Sequence, residues 1–215
     1  MYQLLVFDWD GTLMDSEAKI VSCLQAAAID LEIEPPPEEQ ASQVIGLGLI
    51  EAVARLFPEL PSSLHQPLAD RYREHFLVLN KARSRLFPQA REVLEQLSSD
   101  YLLAVATGKS RRGLEKELDE TGLRPLFQTN RCADETLSKP HPQMLQEILS
   151  ELGANAVDTL VIGDTEFDMQ MAGNAGVPAL GVSYGVHDSE RLLRHGALHC
   201  LDAINELPDW VNKHG

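Results

Sequence analysis

Two pairs of carboxylates stand out in this chain because each pair follows directly on a short apolar run. Asp8 and Asp10 come after residues 4–7, and Asp164 and Asp168 stand at the end of a later run. Two carboxylates placed this close repel each other unless a cation or a proton separates them. Oxygen ligands suit a hard divalent cation, and the lack of a His or Cys cluster nearby favours magnesium over zinc.

A third polar position follows another apolar run. Thr107 comes directly after residues 102–106 and is followed by Gly108. Each such residue could simply cap the helix that follows it. In an open parallel sheet, however, ligands bind just beyond the carboxyl ends of the strands. If the runs are strands, Asp8, Thr107 and Asp164 converge on one edge of the sheet, and the three together predict a functional site.

The apolar runs have the length and composition of buried strands. They cover residues 4–7, 102–106, 159–162 and 179–182, and a weaker candidate covers 127–131. Apolar runs without alternation are typical of parallel strands that are covered on both faces. The segments between them, residues 89–97, 111–118 and 142–152, have the periodicity of amphipathic helices. This alternation predicts an α/β fold with a doubly wound parallel sheet.

One long segment breaks the alternation. Between residues 15 and 85 the pattern predicts no strand, and helical periodicity recurs at residues 16–31, 49–57 and 64–79. The three prolines at 35–37 must interrupt any helix, since proline is not tolerated in a helix interior. We therefore predict an inserted helical domain, residues 15–85, within an α/β core made of residues 1–14 and 86–215.

Composition excludes several classes of partner. With 33 acidic and 18 basic residues, the formal net charge is −15, so the surface repels phosphate backbones and we expect no nucleic-acid partner. The three cysteines are far apart and form no CxxC pair, which argues against a disulfide framework or a zinc site. No apolar stretch is long enough for a membrane span, and no basic leader precedes the first run, so we expect a cytoplasmic protein with no membrane partner.

The polar groups resemble, in order, the four signatures of the haloacid dehalogenase-like hydrolases. Residues 7–16 are similar to the first signature, 105–110 to the second, 138–142 with Lys139 to the third, and 163–169 to the fourth. The helical insertion directly after the first signature is similar to the cap of the phosphoglycolate phosphatase-like subgroup. The resemblance implies a Rossmann-like core with an inserted helical cap.

The same resemblance implies a reaction. It suggests a magnesium-dependent phosphatase that hydrolyses a small-molecule phosphate monoester through an aspartyl-phosphate intermediate. Asp8 would be the nucleophile, and Asp10 would protonate the leaving alcohol and later deprotonate water. Dehalogenases of the family lack an acid at the position of Asp10, because halide leaves without a proton. Asp10 therefore favours phosphate esters as substrates.

The remaining roles also follow from the resemblance. Thr107, the backbone N–H of Gly108 and Lys139 would bind the phosphoryl group, and Thr107 and Lys139 would take part in catalysis. Four residues would hold Mg²⁺, the last of them directly or through water: Asp8, Asp10 through its backbone carbonyl, Asp164 and Asp168. The substrate would be a small phosphorylated metabolite, with phosphoglycolate among the candidates, and the cap would select it.

Two other functions stay open on the sequence. A phosphosugar mutase shares all four signatures but returns the phosphoryl group to a bound sugar rather than to water. A signalling receiver also accepts a phosphoryl group on an Asp at a strand end, although receivers are shorter and have no cap. The sequence does not set the oligomeric state.

Overall fold

A computed structural model describes residues 2–214 of the chain and contains a six-stranded parallel sheet. The strands in chain order are β1 (Leu4–Phe7), β2 (Met14–Asp15), β3 (Arg85–Leu86), β4 (Leu102–Thr107), β5 (Thr129–Cys132), β6 (Thr159–Gly163), β7 (Ala179–Val182) and β8 (Ala197–Leu201). The six longer strands pair in parallel in the order β5-β4-β1-β6-β7-β8. This topology confirms the predicted fold class.

Helices occupy most of the remaining chain between residues 2 and 214. They are α1 (Glu17–Asp30), α2 (Glu38–Ser42), α3 (Leu49–Leu56), α4 (His65–Glu74), α5 (Ala90–Leu97), α6 (Arg111–Thr121), α7 (Gln143–Leu152), α8 (Glu166–Asn174), α9 (Ser189–Arg194) and α10 (Leu207–His214). A π-helical turn, His75–Leu79, continues α4. No helix among these residues is long and apolar enough to cross a membrane.

Alternate residues of each central strand pack on opposite faces of the sheet. In β1, Leu5 and Phe7 join a core with α5, α6 and α10, whereas Leu4 and Val6 join a second core with α7, α8 and α9. Because helices cover both faces, neither face of the strand needs polar residues. This burial explains why the sequences of the central strands are continuous apolar runs.

The periodic segments of the sequence correspond to observed elements with boundaries shifted by a few residues. The predicted helix 16–31 is α1, 64–79 is α4 with its π-helical turn, and the weak strand candidate 127–131 is β5. Helix α2 begins at Glu38, directly after the three prolines. The sequence pattern did not locate β8, because it is an edge strand whose Leu198 is 56% exposed.

Helices α1–α4 form a bundle with hydrophobic clusters of their own. One cluster includes Ile20, Leu24 and Phe76, and the other joins residues of α1, α3 and α4. The sequence predicted no strand between residues 15 and 85, and the structure adds a short antiparallel ribbon of β2 and β3 at the two ends of that segment. A two-residue strand is too short to give a periodic pattern. We propose that residues 15–85 form a separate helical domain joined to the core through this ribbon.

Candidate active site

Three neighbouring strands bring the site together at one edge of the sheet. Asp8 directly follows β1, Thr107 is the last residue of β4, and Asp164 directly follows β6. Strand β1 lies between the other two, with Phe7 paired to Val105 on one side and to Ile162 on the other. Because parallel strands end at the same edge, the three polar side chains lie side by side, as the sequence predicted.

A buried lysine joins two of the carboxylates. The Lys139 ammonium lies 2.9 Å from Asp8 Oδ1 and donates a hydrogen bond to Asp168 Oδ1 at 2.6 Å. Burial lowers the pKa of Lys139, but the carboxylates of Asp168 and Asp8 together raise it above its ordinary value. Lys139 is therefore a fixed positive charge beside Asp8.

The carboxylate of Asp8 is buried, and neither of its oxygens receives a hydrogen bond from residues 2–214. The Lys139 ammonium forms an ion pair with Asp8 Oδ1. Burial raises the pKa of Asp8 to about 7, against the opposing effect of Lys139. A buried carboxylate that receives no hydrogen bond is unfavourable unless a cation or another ligand contacts it.

Each carboxylate oxygen of Asp164 accepts a hydrogen bond from another part of the core. Its Oδ1 accepts a hydrogen bond from the Thr12 hydroxyl and its Oδ2 accepts one from the Val186 N–H, each at 2.9 Å. A Cβ atom at Gly11, where φ is +81°, would overlap the Asp164 carboxylate. Glycine at position 11 therefore allows both the left-handed turn after Asp10 and the close approach of Asp164.

The acidic groups match the needs of a hard divalent cation. Carboxylate oxygens of Asp8, Asp164 and Asp168 all lie within 4.8 Å of one another, and all three residues are buried. Burial and the charges of Asp8 and Asp168 raise the pKa of Asp164 well above its ordinary value. Lys139 supplies one positive charge for these three carboxylates. The negative charge that is left over suits Mg²⁺.

Asp10 has a partner that the sequence did not assign. Lys109 Nζ lies 2.7 Å from Oδ1 and 2.9 Å from Oδ2 of Asp10, and the Ser16 hydroxyl donates to Oδ1 at 2.5 Å. The same ammonium lies 3.3 Å from Glu117, which accepts a hydrogen bond from the Trp9 indole at 2.5 Å. Lys109 and Glu117 thus form a second buried charge cluster behind Asp10.

A signal for this cluster was present in the sequence. Glu117 stands between Leu114 and Leu118 on the buried face of α6, where a charged residue is unusual. Lys109 follows the strand-end residues Thr107 and Gly108. A buried acid on that helix requires a cation, and Lys109 is a nearby candidate.

The loop after β4 contacts the helical insertion. Thr107 is buried, and its hydroxyl accepts a hydrogen bond from the Lys109 N–H at 3.2 Å. A Cβ atom at Gly108 would lie 2.5 Å from the Leu47 carbonyl oxygen and 2.7 Å from that of Gly46. The loop before α3 therefore lies directly against the loop that would bind the phosphoryl group.

A pocket runs between this edge of the sheet and the inserted helices. Its core side includes Asp8, Asp10 and Thr107, and its other side is formed by residues of α1, α3, α4 and the loop before α3. All seven residues that the sequence predicted for the site belong to this pocket or to the charge cluster below it: Asp8, Asp10, Thr107, Gly108, Lys139, Asp164 and Asp168.

Comparison with known proteins identifies the family. The model of the haloacid dehalogenase-like hydrolase family matches residues 5–182. A curated relative, "Probable phosphatase IndB" of Dickeya dadantii, is 35% identical over 96% of this chain and 92% of its own length. The phosphoglycolate phosphatase of Agrobacterium fabrum is 30% identical over 86% of this chain and 82% of its own length. The N-acetylmuramic acid 6-phosphate phosphatase of Pseudomonas aeruginosa is also 30% identical, over 97% of this chain and 94% of its own length.

Solved structures agree on the fold. A hydrolase of Pseudomonas syringae superposes with a TM-score of 0.89 at 24% identity, over 99% of both chains. The chain therefore belongs to the haloacid dehalogenase-like hydrolases and, by its similarity to curated proteins over nearly its whole length, to the phosphatases among them.

Proposed function

We propose that this haloacid dehalogenase-like phosphatase hydrolyses small phosphate monoesters, with Mg²⁺ bound, through a phosphoryl group carried on Asp8. The observation that supports this most is the state of Asp8 itself. Its carboxylate is buried, has no hydrogen-bond donor among residues 2–214, and faces a pocket beside Lys139. A carboxylate left free in this way is available as a nucleophile.

The charge of the site supports a metal requirement. Five carboxylates, those of Asp8, Asp10, Glu117, Asp164 and Asp168, are grouped with the two ammonium groups of Lys109 and Lys139. A phosphate dianion entering this site would meet excess negative charge. Mg²⁺ held by Asp8, Asp164 and Asp168 would offset that charge and polarise the phosphoryl oxygens.

The chemistry then has two steps. In the first, an Asp8 oxygen attacks phosphorus, the ester P–O bond breaks, and the proton of Asp10 goes to the leaving alcohol. In the second, water attacks the phosphorus of the aspartyl phosphate, Asp10 takes a proton from that water, and phosphate leaves as the Asp8 carboxylate is restored. Lys139, the Thr107 hydroxyl and the Gly108 N–H would hold the phosphoryl oxygens.

An activity screen with a trapped intermediate tests this proposal. A panel of phosphate monoesters with Mg²⁺ should yield free phosphate, and rapid acid quench with ³²P-labelled substrate should trap label on the wild-type protein. Asp8→Asn should stay folded, carry no label and lose turnover by several orders of magnitude. Asp15→Asn is the matched control, because Asp15 is an exposed acid in the short ribbon, where its backbone pairs with Arg85.

Three results would each contradict the proposal. A folded Asp8→Asn variant with near-normal turnover would exclude Asp8 as the nucleophile. Return of the label to a hexose phosphate, without release of phosphate, would indicate a phosphosugar mutase. A stable phosphoprotein that never turns over would indicate a receiver.

A further inference from the structure

The inserted helices form one wall of the pocket, and this wall is almost entirely apolar. Its main side chains come from α1, α3, α4 and the segments next to them: Ile20, Leu24, Ile45, Leu49, Tyr72 and Phe76. The rings of Tyr72 and Phe76 are stacked, with centroids 5.7 Å apart. In the proposed reaction the phosphate sits against Asp8, so the group esterified to it must extend along this wall.

The positive charges of the pocket already have partners. Among the described lining residues the cations are Lys109 and Arg73. Lys109 is paired with Asp10 and Glu117, and Arg73 Nη1 lies 2.6 Å from Asp70. Burial raises the pKa of Tyr72 well above its ordinary value, so its hydroxyl adds no charge. A carboxylate on the substrate would therefore have to compete with Asp10, Glu117 or Asp70 for a cation that lines this pocket.

We propose that the alcohol part of the substrate is uncharged and largely apolar, a hydrocarbon chain or a ring that packs against Tyr72 and Phe76. This inference rests on the proposed function and names the class of ester within it. It separates this chain from its A. fabrum relative, whose name specifies phosphoglycolate, an ester with a carboxylate next to the phosphate. Phosphoglycolate should be a poor substrate here.

Paired esters with similar shape test the inference on the wild-type enzyme. Isobutyl phosphate has the shape of phosphoglycolate with two methyl groups in place of the carboxylate oxygens. Its kcat/KM should exceed that of phosphoglycolate by about tenfold or more, since an unpaired buried carboxylate is strongly disfavoured. Along ethyl, butyl and hexyl phosphate, kcat/KM should rise by about fourfold per methylene group until the wall is covered.

Inhibition separates binding from reactivity. Hexylphosphonate and phosphonoacetate cannot be hydrolysed, so their inhibition constants do not depend on the leaving group. Hexylphosphonate should bind more tightly than phosphonoacetate by about tenfold or more. Phe76→Ala should flatten the rise with chain length. Val78→Ala is the matched control, because Val78 lies on the same π-helical turn but is 49% exposed.

The outcomes distinguish this inference from the proposed function. If no ester of the series is hydrolysed, the proposed function fails. If phosphoglycolate is hydrolysed better than isobutyl phosphate, or phosphonoacetate binds better than hexylphosphonate, the inference is overturned while the phosphatase stands. Arg73→Gln would then show whether Arg73 leaves Asp70 to bind the carboxylate.

Discussion

The ammonium of Lys109 spans both carboxylate oxygens of Asp10, at 2.7 Å and 2.9 Å, within a buried cluster that also includes Glu117. Burial lowers the pKa of Lys109, but Asp10 and Glu117 together raise it above its ordinary value. Lys109 is thus charged, and it fixes the orientation of the side chain to which we assign proton transfer. The ion pair therefore positions the Asp10 carboxylate, the form in which it would take the proton of water in the second step.

Removing this lysine should impair proton transfer. In Lys109→Met, Asp10 keeps only the Ser16 hydroxyl as a side-chain donor, so we expect kcat to fall by about a hundredfold, the lower range for general acid–base catalysis. Lys109→Arg should recover part of the loss because it restores the charge. Lys116→Met is the matched control, because Lys116 lies on α6, which follows Lys109, and among the described residues its ammonium hydrogen-bonds to the Leu77 carbonyl rather than to a carboxylate. Steady-state kinetics measure the effect.

In Lys109→Met, a loss of stability must be distinguished from a loss of catalysis. Breaking a buried ion pair destabilises a protein by about 3–5 kcal/mol. Urea unfolding should therefore accompany the kinetics, and the rates should be taken where the variant is fully folded. A folded Lys109→Met enzyme with wild-type kcat would mean that Lys109 has no part in positioning Asp10.

Replacing Asp10 should affect esters according to their leaving groups. In Asp10→Asn no side chain can protonate the departing alcohol. An alkyl phosphate needs that proton, whereas p-nitrophenyl phosphate does not. In single-turnover experiments, the rate of phosphorylation should fall by about a hundredfold or more for the alkyl ester and much less for the aryl ester. An equal loss for both would show that Asp10 is not the acid.

Removing the charge of Asp8 should stabilise the metal-free protein. A carboxyl group whose pKa is raised from 3.8 to about 7 on folding destabilises the fold above pH 7, and this penalty fades as the pH falls toward 3.8. At pH 8 in EDTA, Asp8→Asn should raise the free energy of unfolding by about 2–4 kcal/mol. The gain should shrink at pH 5.

Magnesium offers the complementary measurement for Asp8. Added Mg²⁺ should raise the melting temperature of the wild type, because a ligand of the folded state stabilises it by mass action. The rise should be smaller for Asp8→Asn and unchanged for Asp15→Asn. If Asp8→Asn were less stable than the wild type at pH 8 in EDTA, the buried Asp8 charge would not destabilise the metal-free fold.

The sequence predicted the sheet and the strand-end residues because both follow from local patterns. A run such as residues 4–7 is apolar throughout because both faces of β1 are buried, and Asp8 follows it because the strand ends there. The alternation of strands and helices then requires one edge to collect such residues. Position along the chain was therefore enough to group Asp8, Thr107 and Asp164.

Pairing between distant side chains could not be predicted in the same way. Lys109 and Asp10 are 99 residues apart, and Trp9 and Glu117 are 108 residues apart. Their contacts depend on how α6 packs beside the loop after β1, which no local pattern specifies. The edge strand β8 was missed for a different reason, since its exposed residues give no buried apolar run.

Adding a side chain at Gly108 should disturb the contact between the insertion and the core. A Cβ atom there would lie 2.5 Å from the Leu47 carbonyl oxygen, closer than real Cβ contacts. In Gly108→Ala we expect the loop before α3 to be pushed away, with kcat/KM reduced by about tenfold or more as the pocket loosens. Gly173→Ala, where a Cβ atom meets nothing within 4 Å, is the matched control.

The same variant tests whether residues 15–85 move as a unit. If they do, small-angle scattering should detect a larger radius of gyration in Gly108→Ala than in the wild type, with an unchanged melting transition of the core. Wild-type activity and wild-type dimensions together would mean that contact between Gly108 and the loop is not needed for a closed pocket.

Calcium should inhibit the enzyme although it binds the same carboxylates. Asp8, Asp164 and Asp168 offer oxygen ligands that accept either ion. Magnesium keeps near-octahedral geometry at about 2.0–2.1 Å, whereas calcium takes roughly six to eight ligands at about 2.3–2.6 Å. A calcium ion seeking more ligands can engage both oxygens of Asp8, one of which must remain free to attack phosphorus.

Metal exchange therefore tests whether Asp8 is both ligand and nucleophile. Activity should vanish with chelator, return with Mg²⁺, and fall again as Ca²⁺ is titrated against constant Mg²⁺, with the inhibition relieved by more Mg²⁺. Trapping of ³²P on Asp8 should disappear in parallel, because calcium blocks the first step rather than the second. Full turnover with Ca²⁺ alone, or activity that survives the chelator, would show that the reaction does not need a metal-bound Asp8 with one free oxygen.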